Sequence, residues 1–416
     1  MLDTLMATAG EAVNSPGYVF PNEHEAQWGL LIVVYPYLTG LVAGAFILAS
    51  LERVFKVRVL RPTYRLALLT ALAFMIVAPL PLLAHLGHPE RSFEMFLTPH
   101  SSSAMAMFGF VYAWYLGVVL LLEIWFDYRK DIVHWARNSK GLKKIFYFAL
   151  TLGATDVSDR AIRFDEKAGK IITIIGIPSA FLLHGYVGFI FGSVKANPWW
   201  SSVLMPIVFL FSAIVSGIAL VMLIYVVTSM FRWRRINMSC LNLLAELLLY
   251  AMIVDFSLEL LDFIHRLYES EESINILSRL IESRLFISLI ITQITIGTAL
   301  PMIAIMLGRF GKVHYELQRM LYFIAAILVQ VGIFTTRWNV VVGGQLFSKS
   351  LRGLTVSKVE LFGSEGVLVA CSLLVLPFLI LYMLAKTLPP WSDTDGASSV
   401  SQEGHVADQP LSAVSK

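Results

Sequence analysis

Long apolar stretches alternate with short polar segments along almost the whole chain. Each stretch is close to or above the roughly 20 residues that a helix needs to cross about 30 Å of hydrocarbon. The pattern therefore predicts an all-α integral membrane protein with about nine transmembrane helices. The apolar stretches cover residues 27–50, 66–86, 103–126, 171–194, 203–231, 241–264, 285–308, 317–337 and 366–386.

Small residues recur at a four-residue spacing in the first and fifth stretches, at Gly40 and Gly44 and at Ser212 and Ser216. This spacing lets helices approach closely. The repeated spacing is compatible with an internal duplication that gives two four-helix bundles plus one extra helix. Close helix packing without any duplication explains the spacing about equally well. The predicted organisation is an extracytoplasmic N-terminal segment (1–26), a first bundle (27–194), a second bundle (195–337), an extracytoplasmic loop (338–365), a last transmembrane helix (366–390) and a disordered cytoplasmic tail (391–416).

Composition supports a membrane protein, and the distribution of charge predicts its orientation in the membrane. The chain is 57% hydrophobic and 15% charged, with a mean hydropathy of +0.72, which lies outside the range of soluble globular proteins. Lys and Arg concentrate in the loops after the first, third, fifth and seventh stretches. The positive-inside rule then predicts that the N-terminus lies outside and the C-terminus lies in the cytoplasm. The expected location of this multi-pass protein is the inner (cytoplasmic) membrane.

Two segments fit this topology less simply. The loop after the eighth stretch must lie outside, yet it carries Arg337, Lys349, Arg352 and Lys358. Residues 145–155 are apolar but too short to span, and 156–170 are charged. We therefore expect an interfacial or amphipathic piece on the cytoplasmic side between the third and fourth spans.

The number and spacing of the cysteines limit the metal and redox centres that this chain could hold. Cys240 and Cys371 lie far apart, with no CxxC or CxxCH motif. This excludes an iron–sulfur cluster, a c-type haem or a cysteine-based zinc site held within this chain, and we predict no metal site. There is also no P-loop or dinucleotide fingerprint. A carrier, a channel or a membrane subunit that handles a lipid-soluble cofactor remains.

Polar side chains concentrate on the predicted outer side of the first half. A quinone head group needs hydrogen bonds to its carbonyl oxygens and a proton partner near neutral pH, and Tyr and His side chains supply both. An interfacial aromatic belt and helix-capping histidines would explain any one of these residues, but the group together favours a site. Its members are Tyr35, Tyr37, His85, His88, Arg91, His184 and Tyr186.

Three carboxylates follow one face of the sixth stretch. Asp255, Glu259 and Asp262 are spaced i, i+4, i+7, so they share a helical stripe that must face protein or water. Read functionally, they form part of a proton path with Arg337 as counter-charge. Read structurally, Glu259 and Asp262 merely pair with Arg337 or Arg266 near the outer interface.

Several motifs resemble a known family. The Gly-containing first helix, the turn Leu86–Arg91 (LGHPER) followed by Pro99 and a Ser run, and Arg337–Gln345 (RWNVVVGGQ) look like the NrfD/polysulfide-reductase membrane-subunit family. The last motif and the chain length resemble most closely its DsrP branch, the membrane subunit of the DsrMKJOP sulfite-reduction-linked transmembrane complex. The resemblance covers essentially the whole chain except the tail.

The resemblance implies a quinone-interacting subunit, for menaquinone or ubiquinone, with no haem or iron–sulfur cluster of its own. It implies a quinone site in the first bundle near the outer face. It also implies an extracytoplasmic iron–sulfur subunit, haem b and haem c subunits and a cytoplasmic iron–sulfur subunit as partners. Tyr35 stands where polysulfide-reductase-type members have His, so His88 or His184 could be the proton partner.

The expected function is electron exchange between the quinone pool and these partners in sulfite or sulfate metabolism, with proton translocation as an added option. Tyr35, His88 and His184 would hydrogen-bond and exchange protons, and Arg91 would stabilise anionic intermediates. Two alternatives stay open. One is a b-haem cytochrome with His85 and His184 as axial ligands, although their depths differ by roughly 12 Å. The other is a proton- or ion-coupled transporter that uses the carboxylate stripe alone.

Overall fold

The computed structural model describes residues 17–100, 104–232, 236–269 and 273–391. These residues form helices and two isolated β-bridges, with no strand of a sheet among them. The main helices are α1 (Leu30–Arg53), α2 (Arg61–Val77), α3 (104–138), α4 (Leu142–Leu150), α5 (Asp159–Gly192), α6 (Met205–Phe231), α7 (Met238–Glu269), α8 (Ile274–Phe310), α9 (Tyr315–Val341) and α10 (Val367–Thr387).

Eight helices in the described ranges are long and apolar enough to cross a membrane, which confirms the prediction of an all-α integral membrane protein. Most of the described residues in each of the nine apolar stretches are helical. The sixth stretch lies in α7, which is not one of the eight but, at 32 residues, exceeds the length that a span needs. The orientation of the termini stays a prediction.

The helices form two groups around a central pair. Helices α1, α2, α3 and α5 pack against one another, and so do α6, α7, α8 and α9, while α10 packs on α2. Contacts between α1 and α6 are the most extensive between the two groups, which therefore share one continuous core. The predicted division into bundles at 194 and 337 stays a prediction.

The central pair meets at glycines. A Cβ atom on Gly217 of α6 would overlap the backbone of Gly44 of α1, so neither position has room for a side chain. The sequence predicted a close helix approach at Gly44, and the residue of α6 that it contacts is Gly217. The expected small residues of α6, Ser212 and Ser216, instead donate their hydroxyls to carbonyls of their own helix at 2.9 and 3.0 Å.

Helices α3 and α5 continue well beyond their apolar stretches. Ser158 caps α5 by accepting a hydrogen bond from the Ala161 amide at 3.4 Å, so the helix begins at Asp159 and not near residue 171. The charged segment 156–170 is therefore mostly helix, because charged residues propagate a helix as well as apolar ones do. Buried Arg129 of α3 donates to Asp165 at 2.7 Å and joins the two extensions.

The short helix α4 lies in the apolar segment that was expected at the interface. Its nine residues are too few to cross a membrane, and Leu142, Ile145 and Phe148 are exposed. Three other predicted features lie outside the described residues. They are most of the N-terminal segment (1–16), the Ser run at 101–103 and nearly all of the tail (392–416).

The segment that leads into α1 is held by hydrogen bonds and ion pairs to the loop after α9, and we call this set of contacts the clasp. Gln345 accepts from the Trp28 amide at 3.0 Å and donates to the Trp28 carbonyl at 3.2 Å. Lys349 and Lys358 form ion pairs with Glu23 and Glu25. These pairs compensate two of the positive charges of a loop that was expected outside. Arg337 itself lies inside α9 and not in the loop.

Candidate functional site

His184 lies where four helices converge. Its imidazole is fully buried on α5 and stacks on Phe209 of α6 with ring centroids 5.6 Å apart. Nδ1 lies 3.2 Å from the Thr39 hydroxyl of α1, and Nε2 lies 3.1 Å from Nη2 of Arg337 on α9. Gly40 leaves the space for this ring, because a Cβ there would lie 3.2 Å from it.

The partners of His184 assign its tautomer. A guanidinium has only donors, so Nε2 must accept from Arg337 and the ring proton must sit on Nδ1. Nδ1 then donates to the Thr39 hydroxyl, whose own hydrogen points to the carbonyls of Tyr35 and Pro36, each 3.2 Å away. The imidazole is therefore neutral in this arrangement. A second proton on Nε2 would require Arg337 to withdraw.

Arg337 is the largest fully buried side chain in the described residues. Nη2 also donates to the Ser212 hydroxyl at 2.5 Å, and the guanidinium lies 4.2 Å from the Phe209 ring centroid. Nε and Nη1 have no hydrogen-bond partner among the described residues. They lie within electrostatic reach of Asp255 and Glu259, without a direct ion pair.

The predicted carboxylate stripe divides into two environments. Asp262 accepts from Ser202 and pairs with Arg266, as the structural reading expected. Glu259 accepts from Gln293 at 3.2 Å, and Oδ1 of buried Asp255 has no partner among the described residues. Asp255 and Glu259 line a cavity of about 10 Å³, roughly the room of one water molecule.

Two tyrosine hydroxyls lie near the hydroxyl of Tyr35 in the first group of helices. Tyr35 of α1 is near enough to Tyr112 of α3 and Tyr186 of α5 for their hydroxyls to interact electrostatically. The hydroxyls of Tyr35 and Tyr112 interact with each other, but none of the three makes a well-formed hydrogen bond among the described residues, although all three oxygens are buried. Phe108 packs edge-on against Tyr35 at 5.2 Å. We call Tyr35, Tyr112 and Tyr186 the tyrosine cluster.

The tyrosine cluster suits a quinone. Buried hydroxyls normally have well-formed hydrogen bonds, so three that lack them, beside the ring of Phe108, are available as donors to a quinone carbonyl oxygen. Thr39, one turn along α1, links the cluster to His184. The structure thus brings Tyr35, Tyr186 and His184 into one region.

Other predicted quinone residues lie elsewhere. Tyr37 points away from Tyr35, because two residues turn a helix by about 200°, and its hydroxyl donates to Gln330 at 2.7 Å. His88 hydrogen-bonds the adjacent Glu90 at 3.0 Å, and Arg91 pairs with Glu94 at 2.9 Å, all exposed. The structure does not join His88 or Arg91 to the tyrosine cluster, and their roles stay predictions.

Sequence reasoning missed several residues of this region. Tyr112, Thr39 and Ser212 resemble ordinary polar residues of membrane helices and carry no distinct signal. Glu123 could have been found, because it is a carboxylate inside the third apolar stretch. It is fully buried, accepts from Thr173 at 2.8 Å, and its Oε2 has no partner among the described residues.

These features define a multi-pass helical membrane protein with buried polar chemistry and, in the part of the chain described, no cluster of metal-ligating side chains. Residues 19–349 match the family model of "Polysulphide reductase, NrfD". The chain therefore belongs to the NrfD family, which confirms the resemblance in its motifs.

Similar proteins are membrane subunits of reductase complexes. The chain is 34% identical to a selenate reductase subunit of Mesobacillus selenatarsenatis over 76% of its own length and 74% of the relative's. It is 30% identical to a putative dimethyl sulfoxide reductase membrane subunit of Halobacterium salinarum over 49% and 44% of the two chains. It is 22% identical to the "Hdr-like menaquinol oxidoreductase integral membrane subunit" of Archaeoglobus fulgidus over 78% and 72%.

The matches confirm a membrane subunit of an oxidoreductase complex. They do not distinguish the DsrP branch or a role in sulfur metabolism, since the relatives carry the names of different reductases.

Proposed function

We propose that this subunit binds a quinone at the tyrosine cluster and exchanges electrons between the membrane quinone pool and an iron–sulfur partner of the same complex. The observation that carries the proposal is the set of three neighbouring buried hydroxyls that make no well-formed hydrogen bond to the described residues. Similarity to a menaquinol oxidoreductase membrane subunit supports it.

The residues of the cluster have distinct tasks. A bound quinone supplies the two-electron chemistry, with two protons taken up or released. The hydroxyls of Tyr35, Tyr112 and Tyr186 would donate to its carbonyl oxygens and orient the ring, and Phe108 would cover one side. Leu31, four residues before Tyr35 and on the same face of α1, is fully buried and would help keep bulk water away.

His184 is better suited to positioning than to proton exchange. Both ring nitrogens are engaged, and Nε2 accepts from a buried guanidinium, which disfavours a second proton there. His184 holds Thr39, and Thr39 in turn holds the turn of α1 that carries Tyr35. We therefore propose the tyrosine hydroxyls as the groups that contact the quinone.

Asp255 and Glu259 are proposed as part of a proton path in the second group of helices. The unpartnered Oδ1 of Asp255, the small cavity and the nearby guanidinium of Arg337 support this. Asp262 is less suited to it, because Ser202 and Arg266 already hold its carboxylate.

The two alternatives have less support. A haem bound by His85 and His184 needs one free nitrogen on each imidazole, but both nitrogens of His184 are engaged. A transporter needs a solute-sized site beside the carboxylates, and the cavity of about 10 Å³ there suits a single water molecule.

The test is binding of a fluorescent hydroxyquinoline analogue of quinone to the purified complex. Tyr35→Phe and Tyr112→Phe each remove one hydrogen bond worth about 0.5–1.5 kcal/mol, so Kd should rise roughly two- to twelve-fold. Tyr315→Phe, on the exposed start of α9, is the control and should bind normally. Loss of binding in Tyr37→Phe alone would move the site to the other face of α1.

The finer assignments belong to the same proposal. We propose partners with haem b, haem c and iron–sulfur centres and a link to sulfite or sulfate metabolism, supported by the Arg337–Gln345 motif. Co-purification of the complex from native membranes, followed by haem and iron analysis of each subunit, tests them. Partners without haem would limit the proposal to the iron–sulfur connection.

A further inference from the structure

A large apolar groove lies on the other side of α1 from the tyrosine cluster. Its volume is about 1060 Å³, and helices α1, α2, α6, α9 and α10 form its walls. Leu223, Val227 and Phe231 give one stripe on α6, while Leu374, Phe378 and Tyr382 give a facing stripe on α10. The groove exists because α10 packs mainly on α2 and leaves α6 and α9 uncovered beside it.

The two ends of the groove differ in charge. Arg232 and Lys386 line one end, both exposed, and neither forms an ion pair with an acidic side chain of the described residues. Arg232 also lies over the Trp391 ring, 5.0 Å from its centroid. This end therefore offers two uncompensated cations beside an amphipathic aromatic ring.

Tyr37 and Gln330 lie deeper in the groove, and their hydrogen-bonding groups are already engaged within the protein. The Tyr37 hydroxyl donates to Gln330 Oε1 at 2.7 Å, and Gln330 Nε2 donates to the Ser216 carbonyl at 2.7 Å. A ligand that needs hydrogen bonds at this depth would have to break this pair. The occupant is therefore apolar there and anionic only at the cationic end.

The groove has the length of one lipid leaflet. It runs from Arg232 to Leu220 on α6 and from Lys386 to Leu374 on α10, which is roughly 18 Å on each helix at the α-helical rise. Half of the hydrocarbon thickness is about 15 Å. A helix of a partner subunit would instead cross both leaflets and would not need the cations.

We propose that the groove is a binding site for an anionic phospholipid. Its acyl chains would lie on the stripes of α6 and α10, and its phosphate would contact Arg232 and Lys386. The assignment is independent of the quinone site, because none of the groove's residues belongs to the tyrosine cluster.

Native mass spectrometry of the purified full chain, after reconstitution with equimolar phosphatidylglycerol and phosphatidylcholine, tests the proposal. We expect retained phosphatidylglycerol in the wild type. Arg232→Gln with Lys386→Gln should reduce the preference roughly 10- to 30-fold, as expected for two cations near an anionic head group. Lys143→Gln with Lys144→Gln removes the same charge from the exposed surface of α4 and should keep the preference.

A second variant distinguishes the contribution of the groove's space from that of its two cations. Ala385→Phe fills the groove and should release phospholipid of either kind, with Arg232 and Lys386 still present. Equal retention of the two lipids by the wild type would overturn the proposal, and so would an unchanged preference in the charge variant. Release of a quinone by Ala385→Phe, with no loss of lipid, would also overturn it.

Discussion

Nη2 of Arg337 and Nε2 of His184, 3.1 Å apart, join the two helix groups through one buried hydrogen bond. His184 belongs to α5 of the first group, and Arg337 belongs to α9 of the second. Asp255 and Glu259 lie within electrostatic reach of the same guanidinium, whose Nε and Nη1 have no hydrogen-bond partner among the described residues. A change of charge on these carboxylates therefore acts on the side chain that also holds His184.

Replacing His184 tests this link. His184→Leu removes the imidazole acceptor of the buried Arg337 guanidinium and leaves the Ser212 hydroxyl as its side-chain acceptor, which should cost about 1–3 kcal/mol of stability. His184→Gln restores an acceptor oxygen and should recover part of the loss. Thermal unfolding of the purified chain measures both variants. A leucine variant as stable as the wild type would show that the hydrogen bond contributes nothing.

Asp255 and Asp262 should behave differently. Asp255→Asn removes an exchangeable charge while preserving size, so the complex should still react with quinone but move fewer protons in sealed vesicles. Asp262→Asn breaks the pair with Arg266 and should reduce assembly, while the surviving complex keeps its proton-to-electron ratio. Normal proton movement with Asp255→Asn would remove it from the path.

The clasp between the N-terminal segment and the loop after α9 should weaken in acid. Burial alone would raise the pKa of Glu23, but hydrogen bonds from Ser348 and Lys349 lower it below its usual range. A lowered pKa stabilises the folded form above the unfolded value of about 4.3, and this is lost as the pH falls through the folded pKa.

Limited proteolysis between pH 6 and pH 3 follows this transition. Cleavage near residues 349–356 should increase at the acid end in the wild type. Glu23→Gln should be cleaved readily at all pH values, because it never carries the charge. An acid response that is the same in both would assign it to another group.

Gly344 tests the packing of the loop motif. A Cβ there would overlap the Trp200 indole, which donates to the Val340 carbonyl at 2.6 Å. Gly344→Ala should displace this ring and lower stability by about 1–3 kcal/mol. Gly87→Ala is the matched control, since no atom lies within 4 Å of its Cβ position. Equal thermal stability of the two variants would contradict the argument.

The membrane fold was predictable because an apolar run of sufficient length leaves a chain few alternatives to a spanning helix. The burial of Asp262 beside Arg266 was also within reach, because they are four residues apart on one helix. The separation of Tyr35 from Tyr37 follows from helical geometry and could have been anticipated.

The partner of His184 could not be predicted from periodicity. Arg337 lies 153 residues away, and periodicity states which face of a helix is polar but not which helix lies opposite. The same holds for Tyr112, which meets Tyr35 only because α3 and α1 pack in the first group. Pairing between helices is decided by packing over the whole molecule.

The contact between Gly44 and Gly217 limits how the two groups can move. Main-chain atoms touch there, and main-chain atoms have no rotamers, so no side-chain rearrangement can widen or narrow this seam. The separation of α1 and α6 at this contact is therefore fixed. Movement that accompanies turnover is expected at peripheral helices such as α8 and α10, whose faces are largely exposed, while the spacing between α1 and α6 stays constant.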